Sequence, residues 1–504
     1  MSAMGVGLIA FVAVFFVLGL ASFWLVKGSG KRYIVCGKTL PLAFVGTMLT
    51  AQAIDANSTI GNTSLVYSGG FWSGFSIPLG LAVCLVITGL FFAKPLNRMN
   101  LLTLPDFYFR RYGPVTELLT SILMGVSFII LVAGNLAGCA WIVAVVFHLP
   151  YLQALILVSL IIFLYSVAGG LFSSAVTNFV QIYPAIVGFI ACVIWLIKTY
   201  GWAHLTQAVP PSYMDLSGII SPGKGAFANW GQFMALALGD IVALDFMERV
   251  FAARTPRTAQ VGCYIAAALT LVSGLSCSLI GIFSIGLIPN LADHRMVLPD
   301  LALRIVPFVF GLLLISGVIG AGASTANGGI LGVSIVLGRN IMQKNVLRWR
   351  AKKMGDQKSG NPSDSANNIF ISDKRLLFVS RTMALPVVIL AVLLAVVRPE
   401  PGILLVLAFD VVFAGCFVPL AGGIYWKKSN PAGAIAAIIA GSVLRAVLYV
   451  AIPKHLKGLD TLIPPVFSLL VFVVVCLLTQ ERFPSRHNVI EESPSDAEVI
   501  AGIV

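Results

Sequence analysis

The stretch Thr50-Ala-Gln-Ala-Ile-Asp55-Ala-Asn-Ser-Thr-Ile-Gly-Asn-Thr-Ser64 decides how this chain is read. It crowds Asp55, Asn57, Ser58, Thr59, Gly61, Asn62, Thr63 and Ser64 into the middle of an apolar run of roughly 42–66, a length that crosses a bilayer. Asn, Ser, Thr and Gly favour caps and turns over helix interiors, so the spacing predicts a broken helix at membrane depth. A carboxylate at the bilayer centre costs about 2.5–3.5 kcal/mol on insertion scales, so Asp55 must meet a partner or a cavity. Two roles fit it and do not exclude each other: cap of the second half-helix, or member of an ion or solute site.

The surroundings place this stretch in a membrane. Of 504 residues, 58% are apolar and only 11% charged, against about 25% charged in a soluble domain. Lipid cannot satisfy backbone polar groups, so spans are helices or barrel strands, and runs this long are not the alternating short segments of a barrel. The fold class expected is an all-α polytopic membrane protein. Its spans number about thirteen, at roughly 5–26, 42–66, 71–93, 117–147, 152–168, 175–197, 229–250, 258–288, 308–338, 376–397, 401–425, 432–452 and 462–480. The first has no basic residue before it and reads as a retained helix rather than a signal peptide. Lys27, Lys31, Arg32 and Lys38 follow span 1, and Lys94, Arg98, Arg110 and Arg111 follow span 3. Arg249, Arg254 and Arg257 follow span 7, Lys427 and Lys428 follow span 11, and the 340–375 loop is strongly basic. All fall on one face, which the positive-inside rule makes cytoplasmic, with the amino terminus outside and the carboxyl terminus inside. The net charge of +13 is therefore assigned to cytoplasmic loops rather than to a nucleic-acid partner. Gly355–Asn368 and the tail after Phe483 have the composition of disordered segments.

Span 7 carries a second interruption, Leu238-Gly-Asp-Ile-Val-Ala-Leu-Asp-Phe-Met-Glu248. It lies five spans after the first, as expected if spans 2–6 and 7–11 are inverted repeats, and paired interruptions of this kind mark a transporter's binding site. Asp245 and Glu248 alternatively lie near the cytoplasmic end of that span, solvated beside Arg249. Span 9 holds Gly320-Ala-Gly-Ala-Ser-Thr-Ala-Asn-Gly-Gly329. Ser324 and Thr325 offer hydroxyl oxygens, and the carbonyl of Ala321 can point the same way. Ala53 and Ala56 offer carbonyls from an unwound span 2, a set suited to a hard cation that needs several oxygens. Close helix packing through small residues explains the same composition.

Other classes find no footing. Gly37-Lys38-Thr39 suggests a nucleotide loop, but Arg32 stands where that motif needs glycine. The five histidines lie in loops or the tail, so no histidine–carboxylate metal site appears at depth, and no enzymatic activity is expected. No repeated filter motif suggests a channel. The eight cysteines show neither metal-ligand spacing nor a disulfide framework.

The chain resembles the sodium:solute symporter family, and within it the high-affinity choline transporter branch, over about residues 35–450. The resemblance rests on Leu90-Phe-Phe-Ala-Lys-Pro95, Thr103-Leu-Pro-Asp-Phe107 with Tyr112-Gly113, and Ala168-Gly-Gly-Leu171 followed by Thr177-Asn-Phe-Val-Gln181. It continues through Glu248-Arg-Val250, Ala259-Gln-Val261, Ala323-Ser-Thr325 and Asn430-Pro-Ala-Gly-Ala434. It implies a leucine-transporter-like core of two inverted five-helix repeats, here 41–198 and 229–426. An extra helix and loop (1–40) precede them and an extracellular loop (199–228) separates them. Two further helices (427–484) and a tail (485–504) follow. It implies a Na+ held by the carbonyls of Ala53, Ala56 and Ala321 and the hydroxyls of Ser324 and Thr325, with Asp55 linked to the ion. Two departures stand out. Asn178 replaces an aspartate tied in the family to sodium release or a second sodium, and Ala53, Ile129 and Ala243 stand near the places of the choline branch's aromatic cage, which argues against choline.

The function expected is Na+-coupled symport of a small polar organic solute, amine-bearing or zwitterionic, by alternating access. Asn57, Ser58, Asn62, Asn135 and Asp245 are the candidate solute contacts. Proton coupling through Asp55, or a sensor built on a transport fold, are the alternatives. The partners expected are the solute and membrane lipid, with no nucleic acid and no obligate protein partner, in a plasma membrane.

Overall fold

The computed structural model describes residues 2–26, 29–346 and 373–485. Among them every regular element is helical, and a single isolated bridge between Leu40 and Ala253 is the only β-type pairing. In chain order the elements that matter are α1 (Ala3–Ala21), α2 (Leu42–Ala53), α3 (Ala56–Gly69), α4 (Phe71–Ile87), α5 (Leu104–Tyr112), α6 (Pro114–Phe147) and α7 (Tyr151–Tyr200). They continue as α8 (Ala226–Met234), α9 (Leu244–Ala252), α10 (Pro256–Leu287), α11 (Phe308–Ile335), α12 (Asp373–Val397), α13 (Pro401–Gly415), α14 (Phe417–Tyr425), α15 (Pro431–Ala451) and α16 (Leu459–Leu478).

Nine described helices are long and apolar enough to cross a membrane, ten when the pair α13 and α14, bent by 48° at Cys416, counts as one span. The expected thirteen are not reproduced as separate long helices. The polar interruptions of spans 2 and 7 divide each into pieces too short to cross alone. Spans 5 and 6 run together as α7, but not as a straight rod. Gly170 inside it has φ 57° and ψ −140°, a conformation open essentially to glycine. Tyr165 and Asn178 would stand about 20 Å apart along a continuous helix. Instead Tyr165 Oη donates to the carbonyl of Ala323 at 2.6 Å, and Asn178 Oδ1 accepts from the adjacent Ser324 Oγ at 2.5 Å. The chain therefore turns back at Gly170.

Loop limits shift as well. Helical structure continues through Val346 and resumes at Asp373, inside the expected 340–375 loop, and the 199–228 connection holds short helices at Trp202–Gln207 and Ser217–Ile220. The segment Gly355–Asn368 and the tail from residue 486 lie outside the described residues.

The core sits around α11, whose residues Leu314 through Ile335 are all buried. Small side chains allow this. A Cβ added at Gly317 would lie 2.7 Å from that of Ala185 on α7, and one added at Gly322 would lie 2.6 Å from Ala56 Cβ and Cys139 Sγ. The packing role left open for this glycine-rich segment is real. α1 lies at the periphery, with most of its residues exposed or half-buried, against α7 and α11. At the ends of the two interrupted spans, Leu40 N–H donates to the carbonyl of Ala252 and Arg254 N–H to that of Leu40, both at 3.1 Å. The start of α2 is thus tied to the end of α9.

Buried ion pairs fix the flanks. Arg339, just past α11, donates to both carboxylate oxygens of Asp106 on α5 at 2.6 Å. Asn340 joins them by donating to Asp106 Oδ1 at 3.0 Å and to Glu117 Oε1 at 2.6 Å. Elsewhere Arg445 of α15 donates to Asp410 of α13 at 2.6 Å and to Asp460 of α16 at 3.2 Å. Charges at such depth persist because they are paired and hydrogen-bonded.

Candidate ion and solute site

Span 2 breaks at two residues. Ile54 has φ −103° and ψ 88°, Asp55 is extended, and helical geometry resumes at Ala56. Asp55 caps α3: its Oδ1 accepts from Ser58 N–H at 2.7 Å, while Ser58 Oγ accepts from Asp55 N–H at 2.9 Å. This reciprocal arrangement satisfies two backbone donors that a helix start leaves open. Asn135 of α6 buttresses it by donating to Asp55 Oδ2 at 2.7 Å and accepting from Ala56 N–H at 3.1 Å. The other product of the break is the carboxyl end of α2, whose last carbonyls lack helical partners and carry the negative end of the helix dipole.

α11 brings its hydroxyls to that end. Thr325 Oγ1 donates to the carbonyl of Ala51 at 3.2 Å, and Ser324 Oγ donates to Asn178 Oδ1 at 2.5 Å, with all four residues at most 1% exposed. Each hydroxyl spends its proton on a protein oxygen and keeps lone pairs for another ligand.

Span 7 breaks at Ala243 (φ −70°, ψ 131°), after a turn through Asp240–Val242 whose start is closed by Ala243 N–H donating to the carbonyl of Asp240 at 3.0 Å. α9 then presents Asp245, Glu248 and Arg249, none more than 2% exposed, so the solvated alternative for these residues does not hold. Arg249 Nη1 donates to Asp245's own carbonyl at 2.5 Å and stands 3.7 Å from its Oδ2. Gln52, in the last turn of α2, is also buried, and its Oε1 has no hydrogen-bond partner among the described residues. Asp245 and Arg249 stand against α11, where a Cβ added at Gly328 would lie 2.8 Å from Arg249 Nη2 and 3.2 Å from Asp245 Oδ2.

The model of the sodium:solute symporter family matches residues 33–353, well over half of the chain. The chain belongs to the sodium:solute symporter family. It is 26% identical over 467 residues to a human protein named high affinity choline transporter 1, covering 87% of this chain and 76% of that one. It is 25% identical over 460 residues to the sodium/pantothenate symporter of Escherichia coli, covering 88% and 89%. Among solved structures, a Na+-coupled sialic acid symporter superposes with a TM-score of 0.70 at 16% identity, over 95% of this chain and 98% of that one. A nucleobase-cation-symport-1 family transporter superposes at 0.51 with 12% identity, over 93% and 97%. These likenesses establish the fold as leucine-transporter-like. As in its transporter relatives, no catalytic family is indicated.

In this symporter-family frame the predicted residues fall as follows. Ala53, Asp55 and Ala56 border the first break, and Ala321, Ser324 and Thr325 lie on the buried part of α11 beside it. Ser58 and Asn135 are engaged in the Asp55 cap. Asn62 is committed to α10: its Nδ2 donates to Gly274's carbonyl and its Oδ1 accepts from Ser278 Oγ, both at 2.9 Å. Asn57 Nδ2 donates to Leu131's carbonyl at 3.1 Å, while its Oδ1, like Asp245 Oδ2, has no hydrogen-bond partner among the described residues. Sequence reasoning missed Gln52, Asn327 and the depth of Arg249. Asn327 is fully buried with neither amide atom hydrogen-bonded among the described residues. The signal was present, since each is a polar residue within an apolar run.

Away from the breaks, a cavity of about 420 Å³ lies between α3, the Ala292–Arg295 segment and the start of α13. Its charged walls are ordered: Arg295 pairs with Asp293 at 2.7 Å and lies over the Trp141 ring at 4.4 Å. Burial pushes the Asp293 carboxyl up, but hydrogen bonds from the Arg295 guanidinium and backbone N–H, with the nearby positive charge, more than offset this and hold it below the ordinary range. The backbones of Gly61 and Gly402 meet at the edge of this cavity, 2.5 Å separating Gly402 Cα from a Cβ placed on Gly61.

Proposed function

We propose that this chain couples the downhill movement of Na+ to uptake of a small polar organic solute, amine-bearing or zwitterionic, across a plasma membrane. The observation that carries the reading is the approach of Thr325 on α11 to the Ala51 carbonyl in the last turn of α2. In this reading Na+ is held by the carbonyls of Ala53, Ala56 and Ala321 and the hydroxyls of Ser324 and Thr325. The donor set fits, because hydroxyl and carbonyl oxygens at the negative end of a half-helix suit a hard monovalent cation. Asp55 supports the ion indirectly, by holding the start of α3 in place.

Solute class follows from buried charge. The relatives' names, choline and pantothenate, include a cation and a carboxylate, so likeness does not set the sign. Around the second break, Asp240, Asp245 and Glu248 are buried with Arg249 as the cation on the same element. Such an excess of carboxylate favours a positively charged group in the solute. Asn57, whose Oδ1 has no hydrogen-bond partner among the described residues, and Asp245, whose Oδ2 is ion-paired with Arg249 at 3.7 Å without a hydrogen bond, are its leading contacts; Ser58, Asn62 and Asn135 shape the wall.

In the transport cycle Na+ would draw α2 and α11 together and favour the solute-receptive state, with the bundle then rocking to the opposite side. One charge across about 100 mV supplies roughly 2.3 kcal/mol, and a tenfold Na+ gradient adds about 1.4 kcal/mol. Together they support a solute gradient of roughly several hundredfold at one-to-one coupling. The orientation proposed has the amino terminus outside and the carboxyl terminus in the cytoplasm.

The test is reconstitution of the whole chain in vesicles, after a thermal-shift screen of amines and zwitterions with and without Na+. A true substrate stabilises more strongly with Na+ and accumulates only when an inward Na+ gradient is present. Accumulation driven equally by a proton gradient alone would replace Na+ by H+, and binding without accumulation would make the protein a sensor.

A further inference from the structure

A cavity of about 570 Å³ opens between α1, α6, the first half of α7 and α11, and every residue lining it is apolar. Its mouth is at the lipid-facing surface, where Ile9 and Leu157 are 48% and 43% exposed. Its floor is deep, formed by Cys139, Ile319 and Ala323, none more than 5% exposed. The volume lies within the range of ligand pockets, yet the cavity offers no hydrogen-bonding side chain apart from a weak thiol.

We infer that this cavity is a binding site for one acyl chain of a bilayer phospholipid. Water is a poor occupant, since apolar cavities stay dry, and a polar solute would lose its hydrogen bonds without replacement. An empty space of this size forfeits dispersion contacts along its whole lining. The medium at its mouth, for a chain that spans a bilayer, is hydrocarbon, and the cavity continues that lipid-facing surface inward. Headgroup recognition is not required: the site selects for a slim apolar tail.

The location gives the tail a structural part. Ile319 and Ala323 are on α11, and Ala323 immediately precedes Ser324. The wall behind them is held by Tyr165 Oη on the Ala323 carbonyl at 2.6 Å. A bound tail therefore packs the back of the helix whose other side faces α2. The inference stands on the cavity and does not depend on which ion or solute is carried.

The experiment uses the full chain in phosphatidylcholine vesicles containing a phospholipid with a photoactivatable diazirine near the end of one tail. Adducts after irradiation are mapped by peptide mass spectrometry. We expect labelling at Cys139, Ile319 or Ala323, which bulk lipid cannot reach, as well as on openly lipid-facing residues such as Val443 and Val447. Val158→Trp, which fills the cavity, should cut the deep adducts about tenfold, as expected when roughly two buried methylenes are turned out. Adducts at Val443 and Val447 should stay unchanged. Should Val158→Trp not fold, Val12→Trp tests the same space from α1. Deep residues left unlabelled in the parent, deep labelling that ignores both fillings, or protein–protein crosslinks through the cavity in place of lipid adducts would each overturn the assignment.

Discussion

Thr325 Oγ1 and the carbonyl of Ala51 stand 3.2 Å apart, joining the long helix of the second half of the chain to the end of a half-helix from the first. Two elements more than 270 residues apart meet there through a hydroxyl and an oxygen that the helix itself cannot use.

If these oxygens hold the coupling ion, Thr325→Ala should raise the Na+ concentration for half-maximal uptake by about tenfold or more, the effect of losing roughly 1.4 kcal/mol of binding. Thr325→Ser, which keeps the hydroxyl, should stay near the parent. Ser324→Ala should behave like Thr325→Ala. Sodium titrations of uptake and of thermal stabilisation check both, and a Thr325→Ala protein with unaltered sodium response in the two assays removes this residue from the ion site.

Asp55 separates charge from capping. Asparagine caps as well as aspartate, but its amide nitrogen would face the Asn135 Nδ2 that Asp55 Oδ2 accepts from, so Asp55→Asn should keep the cap and lose that one bond, whereas Asp55→Ala should cost about 1–2 kcal/mol more from the lost cap. Melting in detergent reads the difference. Equal losses in the two variants would show that the charged acceptor facing Asn135, and not the cap, is what the fold needs.

The Asp106–Arg339 pair is buried at 3% exposure on each side. Removing only the arginine leaves a buried carboxylate without this cation, and Arg339→Leu should destabilise by about 3–5 kcal/mol. Replacing both partners, as Asp106→Asn with Arg339→Met, should recover much of that loss. A double-mutant cycle on melting temperature and expression measures it, and purely additive effects would argue that the pair is not coupled.

Gly170→Ala meets two obstacles. Its φ of 57° with ψ −140° strains an L side chain, and the added Cβ would lie 2.6 Å from the carbonyl oxygen of Tyr33. The expected cost is at least about 1–3 kcal/mol. It should appear as a lower monodisperse fraction on size-exclusion chromatography. Normal yield and melting would mean that the reversal tolerates a different backbone path.

Much of the fold was readable before any coordinates, and for definite reasons. Asp55, Asn57 and Ser58 cannot all sit in an uninterrupted apolar helix, so the break at Ile54–Asp55 was legible from composition. The same holds for Asp240 and the break at Ala243. How the spans join and bend was less legible, because hydropathy cannot tell a reversal at Gly170 from a loop, or a bend at Cys416 from a straight helix. Among the solute candidates, Asn62 looked like Asn57 in sequence, yet the first is bonded to α10 and the second keeps its carbonyl oxygen unengaged.

By itself the sequence determined that the chain lives in lipid, that it is helical, and where two of its helices must break. Those outcomes follow from the cost of unsatisfied polar groups in hydrocarbon, which acts on each segment alone. Tertiary structure decided which polar groups meet: Thr325 with Ala51, Ser324 with Asn178, Asn135 with Asp55. Such pairings depend on helix rotation and depth, set by close packing of residues distant in the chain, and no local pattern encodes them.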